Sequence, residues 1–223
     1  MTEINDTFVV PPCLENIELL SRDEHHLVIS KPTGLLSLSG RNPLNKDSVH
    51  YRIVQDYPHA TLVHRLDFGT SGVMLVALNK RVNGLLTKQF QQRTVLKSYI
   101  ALLSGHLEHD CGVIDFPIAK DPSIFPRLKI CAVSGKSALT HYKVVERRDS
   151  PNRSVVRFMP ETGRTHQLRI HAQAIGHPIL GCDLYGNSNS QVQADRLMLH
   201  AHTLEFLHPV SEVKIQAVAP CHF

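Results

Sequence analysis

Residues 61–78 read TLVHRLDFGTSGVMLVAL, and the organisation of the chain follows from this stretch. Residues 61–64 and the apolar run GVMLVAL at 72–78 predict two strands. Between them lies HRLDFGTSG, residues 64–72, in which Asp67 precedes a Gly-Thr-Ser-Gly turn. Loops mounted on a rigid sheet are where reactive side chains gather. A lone aspartate in such a loop is nonetheless more often a turn or capping residue. GTSG is not the G-x-S-x-G nucleophile elbow, so Ser71 is a poor candidate for a hydrolytic serine.

The pattern extends in both directions. Upstream, IELL at 17–20 and HLVIS at 26–30 flank a polar connection and read as a strand pair, broken by Lys31-Pro32-Thr33-Gly34. Asp47 is placed to cap a helix over 48–57, with Val49, Ile53, Val54 and Tyr57 on one face and Pro58 as its stop. Downstream, Asn79 is placed to cap a second helix with Val82, Leu85, Leu86 and Phe90 at helical spacing. Further strands are expected at 95–103, 138–146 and 153–159, a short helix over 165–175 closed by Gly176, and short strands at 197–200, 203–207 and 213–218. Residues 119–137 are the least regular. They carry Lys120, Arg127, Lys129 and Lys136 against Asp121, and read either as a basic loop that touches a polyanion or as a solvated excursion. Strands in succession with a few helices predict an α+β fold around a mixed, mainly antiparallel sheet flanked by helices and loops. Residues 1–16 read as a polar lead-in and 17–223 as one domain.

Composition narrows the function. The chain has 223 residues with 42% hydrophobic and 20% charged, an ordinary globular balance. Its five cysteines are odd in number and widely spaced, which argues for reduced thiols and against a disulfide framework or a thiolate zinc site. No run suits a membrane span and the acidic N-terminus is not a secretory signal, so a cytoplasmic location is expected. Net charge is +4, but residues 1–30 hold six acids against Arg22 alone, and the rest of the chain is strongly basic. A basic body suits a polyanionic partner. The histidines, His166 with His171 and His200 with His202 among them, lack a third ligand at a recognised metal spacing, so no metal is expected.

HRLD-x-x-TSG, then KSYIA at 97–101, then TGRTHQLRIH at 162–171 together resemble the RluA family of pseudouridine synthases, in that family's order. KPTGLLS at 31–37, GHPILGCDLYG at 176–186 and LMLHAHTLEFLHP at 197–209 extend the resemblance from about residue 17 to the end. It implies the pseudouridine synthase fold and conversion of uridine in RNA to its carbon-linked isomer, with no cofactor. It is nearest to the family's dual-specificity members, which modify a uridine in large-subunit ribosomal RNA and one in tRNA anticodon stem-loops; a single-substrate enzyme is the alternative. The S4-type RNA-binding domain of many relatives has no room before residue 17. A monomer is the default.

Roles follow from the resemblance residue by residue. Asp67 is the essential carboxylate, which either attacks ribose C1′ or removes the 2′ proton; both routes need it ionised. Desolvation disfavours a charged carboxylate and a nearby guanidinium favours it, and Arg169 matches the arginine that pairs with it. Tyr99 matches the tyrosine that lies against the target base, and Leu168 an apolar residue on the base's other face. The base must leave its stack to be reached, and Arg65 is placed to fill the gap. Arg164, His166 and Gln167 belong to the RNA-binding segment. His64, Thr70 and Ser71 are expected to hold the loop. Two other classes are weaker: an RNA-binding helper without catalysis, against which Asp67, Tyr99 and Arg169 speak, and a hydrolase using Ser71 or Asp67 with His64, which lacks the elbow.

Overall fold

A computed structural model describes residues 9–124 and 126–223, so the first half of the lead-in, residues 1–8, and Phe125 lie outside the described residues. The chain begins with β1 (Glu18–Arg22) and β2 (His26–Lys31), an antiparallel pair turned at Asp23, whose Oδ1 accepts from the N–H of His25 and His26. Next come α1 (Val49–Asp56), β3 (Thr61–Leu62), β4 (Ser71–Ala77) and α2 (Lys80–Gln91). β5 (Leu96–Ser104), β6 (Cys111–Asp115), β7 (Ile118–Lys120), β8 (Leu128–Ile130), β9 (Leu139–Arg148) and β10 (Arg153–Pro160) follow. The chain ends with α3 (Gln167–Ala174), α4 (Ser188–Val192), β11 (Leu199–Leu207) and β12 (Lys214–Val218).

The main sheet runs β1-β2-β4-β11-β5-β10-β9-β6, with β3 also on β4 and β12 also on β11. Every pairing between described strands is antiparallel except that of β4 with β11, where Ser71 and Gly72 lie opposite His200 and Ala201. β4 is buried along its whole length, which is why it reads as an unbroken apolar run rather than an alternation. Gly72 has φ +114°, and a Cβ there would sit 2.2 Å from the Ala201 carbonyl oxygen. Only glycine lets the two backbones approach so closely. One hydrophobic core gathers β2, β4, α1 and α2; a second gathers β5, β9, β10 and α3. Tyr99 packs against both, so it stands on the seam between them.

The α+β architecture and the mixed sheet agree with the sequence reading, with local corrections. Ser48, not Asp47, caps α1: its side chain accepts from the Tyr51 N–H, while Asp47 pairs with Arg52 at 2.6 Å. Asn79 caps α2 as expected, accepting from Val82 N–H. Val82 and Leu86 are buried, but Leu85 falls on the shoulder of that stripe and is exposed. The strands expected at 197–200 and 203–207 are one strand, β11, with a register shift between Ala201 and Thr203. Its signal was broken because His202 turns aside to donate to the Ala219 carbonyl. The irregular 119–137 region holds all but the first residue of the β7–β8 hairpin, whose strands are too short for alternation to show. β6 and α4 were not expected. α4 is built from polar residues and is defined by a reciprocal cap between Asn187 and Ser190.

Candidate active site

A cleft of about 560 Å³ opens where β4, β5 and β11 meet. Its walls include Arg65, Asp67, Tyr99, Arg164, His166, Gln167, Leu168 and Arg169, all the residues singled out from the sequence, and also Lys97 and Phe90. Their cationic groups outnumber the one carboxylate, so the cleft favours an anionic partner.

The Asp67 loop is held mainly through its own backbone. Lys31 is fully buried, and its Nζ donates to the carbonyls of Pro32 (2.8 Å), Leu35 (2.7 Å) and Phe68 (3.2 Å). Burial pushes the Lys31 ammonium down to about 7, against the pull of nearby Cys13 and Asp67. Thr33 donates to the Gly69 carbonyl, and Ser37 both donates to Leu66 O and accepts from Leu66 N–H. KPTGLLS is therefore the underside of the Asp67 loop. On the other side, the Ser71 hydroxyl lies 2.9 Å from His200 Nδ1 and accepts from Arg196, while His200 Nε2 donates to the Ala219 carbonyl. His64 stacks on Phe90 and accepts from Leu75 N–H at 3.0 Å. Burial, helped by Lys97, pushes its pKa down to about 3, so the ring is neutral. His64 and Ser71 are bracing groups in this geometry; neither is paired as a hydrolytic dyad with Asp67.

Across the cleft, Arg169 Nη1 lies 3.8 Å and His166 Nε2 4.0 Å from the same oxygen, Asp67 Oδ2. Arg169 is buried, and the rest of its fork is anchored: Nε donates to Cys182 Sγ at 3.4 Å and Nη2 to Asp183. Burial lowers the guanidinium's pKa, but Cys182, Asp67 and Asp183 more than reverse this and hold it above its ordinary value. Tyr99 is partly buried, and its hydroxyl is pushed above the usual range, first by burial and then by the Asp67 charge. Leu168 is buried in the second core and lines the cleft as well. Arg65 is exposed on the rim. Arg164 donates from Nε to the Ser137 carbonyl.

Gln167 stands apart from this group. Its Oε1 accepts from Thr162 and from Arg164 N–H, and its Nε2 donates to Leu139 O and to Thr140. Being buried and fully partnered, it braces the turn that leads into α3 and has no group left for RNA, a correction to its expected role. Lys31, Ser37, Lys97, Asp183 and Tyr185 were not assigned roles from the sequence. KPTGLLS, KSYIA and GCDLYG mark them, but their roles depend on contacts across the fold.

Among the described residues, one group has the donor types for a metal: Asp23, His26 and His208. His208 Nδ1 accepts from Val210 N–H and Ser211 N–H, which makes Nε2 the protonated nitrogen; it donates to Asp23 at 2.7 Å. A neutral ring cannot accept at one nitrogen and ligate a metal at the other, so this is a clasp between the β1–β2 turn and the end of β11. No helix among the described residues is long and apolar enough to cross a membrane.

A family model described as RNA pseudouridylate synthase matches residues 25–174. A Yersinia pestis protein described as dual-specificity RNA pseudouridine synthase RluA is 48% identical over 191 residues, covering 86% of this chain and 92% of that one. Its counterpart in Escherichia coli (strain K12) is 43% identical over 213 residues, covering 96% and 97%. Among solved structures, human RNA pseudouridylate synthase domain containing 1 is similar with a TM-score of 0.79 and 32% identity, covering 94% of this chain and 85% of that one. Domain containing 4 of the same human series shares the fold, at a TM-score of 0.73 and 24% identity. The cleft with its carboxylate and facing guanidinium thus sits in a chain that belongs to the RNA pseudouridylate synthase family, an RNA pseudouridine synthase of the RluA type that isomerises uridine to pseudouridine.

Proposed function

We propose that Asp67 is the reacting carboxylate and that a uridine turned out of its RNA stack enters the 560 Å³ cleft to meet it. The bond from uracil N1 to ribose C1′ breaks and one from C5 to C1′ forms; the C5 proton leaves and N1 gains one. The observation that carries this reading is the facing of Arg169 Nη1 and Asp67 Oδ2 at 3.8 Å within a cleft whose lining cations, Arg65, Lys97, Arg164 and Arg169, meet no other carboxylate there. With Oδ2 turned toward Arg169 and His166, Oδ1 is the oxygen free to attack C1′ or to take the 2′ proton. Tyr99 offers a ring face to the uracil and Leu168 an apolar wall. Arg65, exposed on the rim, fills the gap left in the RNA, and Arg164 faces the backbone phosphates.

We further propose that the chain modifies both large-subunit ribosomal RNA and tRNA anticodon stem-loops, acts as a monomer in the cytoplasm and uses residues 17–223 as one catalytic domain without a cofactor. The dual range is supported by the relatives described as dual-specificity enzymes, which match over nearly the whole length of both chains.

The test is conversion of uridine in unmodified RNA by purified protein without added metal or nucleotide. Asp67→Asn should abolish conversion and leave RNA binding intact; a mutant as active as the wild type removes Asp67 from the mechanism. Ribosomal and tRNA stem-loop transcripts assayed separately decide the range, and conversion of only one of them leaves a single-substrate enzyme.

A further inference from the structure

The segment Gly181–Gly186 lies behind both donors that face Asp67. Its Cys182 and Asp183 hold Arg169, and the Tyr185 hydroxyl lies 2.8 Å from His166 Nδ1. The Tyr185 oxygen already accepts the Leu128 N–H of β8, at 2.9 Å. Its ring lies beneath two guanidiniums, Arg169 at 5.3 Å and Arg127 at 5.6 Å. His166 has φ +56°, a left-handed conformation unusual for a residue with a side chain, and it stands at the N-terminus of α3 without capping it. Strain of this kind persists where the surroundings enforce it. Here it points the imidazole between Tyr185 and Asp67.

We propose that Tyr185 is a positioning residue for the isomerisation: its hydroxyl holds His166 in the Nε2–H tautomer, so that His166 donates to the Asp67 oxygen that Arg169 also faces. This rests on the reading of Asp67 as the reacting carboxylate. Three states of the ring have to be compared. With the proton on Nδ1, the ring donates to a Tyr185 oxygen that already accepts Leu128 N–H, and its Nε2 lone pair faces a carboxylate oxygen. With both nitrogens protonated, the Tyr185 hydroxyl proton loses its acceptor, and burial opposes the ring's charge. With the proton on Nε2, Tyr185 accepts from Leu128 and donates to Nδ1, while Nε2–H points at Asp67 Oδ2. Only this last state keeps both of the Tyr185 hydroxyl's partners and turns a donor, not a lone pair, toward the Asp67 carboxylate. The 4.0 Å separation is that of the free enzyme, and catalytic hydrogen bonds of this kind shorten once substrate fills the site. His166 is then a partner of the reacting carboxylate rather than a contact for RNA, and the β7–β8 hairpin, through Leu128, helps set that partnership.

The experiment combines nitrogen NMR of histidine-labelled protein with single-turnover kinetics on a stem-loop transcript. In the wild type, His166 should carry its proton on Nε2, and Tyr185→Phe should turn this into a mixture of tautomers. Tyr185→Phe should slow the chemical step roughly tenfold with RNA affinity unchanged, the signature of an interaction used in the transition state. His166→Asn tolerates the left-handed backbone but does not reach Asp67, and should show the same loss. His166→Gln places its amide nitrogen where Nε2 stood and should recover most of the rate. An Nδ1–H tautomer in the wild type, a loss confined to RNA affinity, or a Gln variant as slow as the Asn variant would each overturn the proposal. Asp67→Asn assayed in parallel separates the two readings. If it is inactive while Tyr185→Phe is as fast as wild type, only the positioning role falls; if it is active, the reading of Asp67 falls.

Discussion

The Asp67 loop lines the cleft and the β7–β8 hairpin reaches the site through Tyr185, and the two are built in opposite ways. The loop is stapled from beneath by side chains of KPTGLLS that bond to its backbone: Lys31 to the Phe68 carbonyl, Thr33 to Gly69 and Ser37 to Leu66, with Lys31 also tied to the Pro32 and Leu35 carbonyls of its own segment. The hairpin carries Lys120 and Lys129 exposed to solvent, with exposed Lys136 bridged beside Ile118, and it meets the cleft's residues through Tyr185. The reacting role proposed for Asp67 needs its carboxylate held to a fraction of an ångström, and bonds to the loop's backbone leave it little freedom. A surface that meets phosphates needs charge more than precision, because electrostatic attraction acts over about 10 Å at moderate salt and is tolerant of geometry.

If this contrast is right, the largest effects belong to the loop's own foundation. Gly72→Ala would drive a methyl into the Ala201 backbone at the one parallel seam, in a φ +114° conformation. It should cost more than about 4 kcal/mol, enough to leave little folded protein. Gly34→Ala, at φ +70° with open space around it, should cost only about 1 kcal/mol. Denaturant unfolding of the two variants side by side checks this, and equal losses would mean that the seam can shift.

Lys31 comes next. Lys31→Met leaves the carbonyls of Pro32, Leu35 and Phe68 without their donor and should cost about 3 kcal/mol at neutral pH. The pH dependence sharpens the point. The ammonium titrates at about 7 in the folded chain and at 10.5 ordinarily. Between those values the unfolded chain binds more protons, so stability rises with pH, by about 2 kcal/mol from pH 7 to 9. Unfolding measured at both pH values should show that rise in the wild type and lose it in Lys31→Met. A rise of the same size in the mutant would place its origin elsewhere.

The smallest effects belong to the hairpin. Lys120→Ala with Lys136→Ala should weaken RNA binding about three- to tenfold at low salt and reduce the slope of log affinity against log salt by about one per lysine that meets a phosphate. Turnover at saturating RNA should not change. A fall in turnover with no change in salt slope would mean that these two lysines act on the chemistry and not on phosphates.

Much of the site was legible before any fold was known, because its residues lie in short motifs whose types and spacing are particular to their chemistry. Asp67, Tyr99, Leu168 and Arg169 all reach the cleft. α1 and α2 were legible from their periodicity, and α2 also from its Asn79 cap, whereas the short polar α4 was not. Gln167 was misread because a polar residue inside a cationic motif looks like a contact, while its amide is used within the protein. The length of β11 was misread because a bulge breaks the alternation on which strand reading depends.

The sequence by itself determined the family, the α+β class and the presence of a carboxylate, a tyrosine and a guanidinium in the family's motifs, since each is encoded in contiguous residues. Only the tertiary structure decided which groups share a proton or a charge. Arg169 is divided between Asp67 and Asp183, Lys31 is buried under the loop, and His166 is turned toward Asp67 by Tyr185. These partnerships join segments far apart in the chain. Their geometry is set by the pairing of β4, β11 and β5 and by the packing of the two cores on either side, neither of which any local spacing encodes.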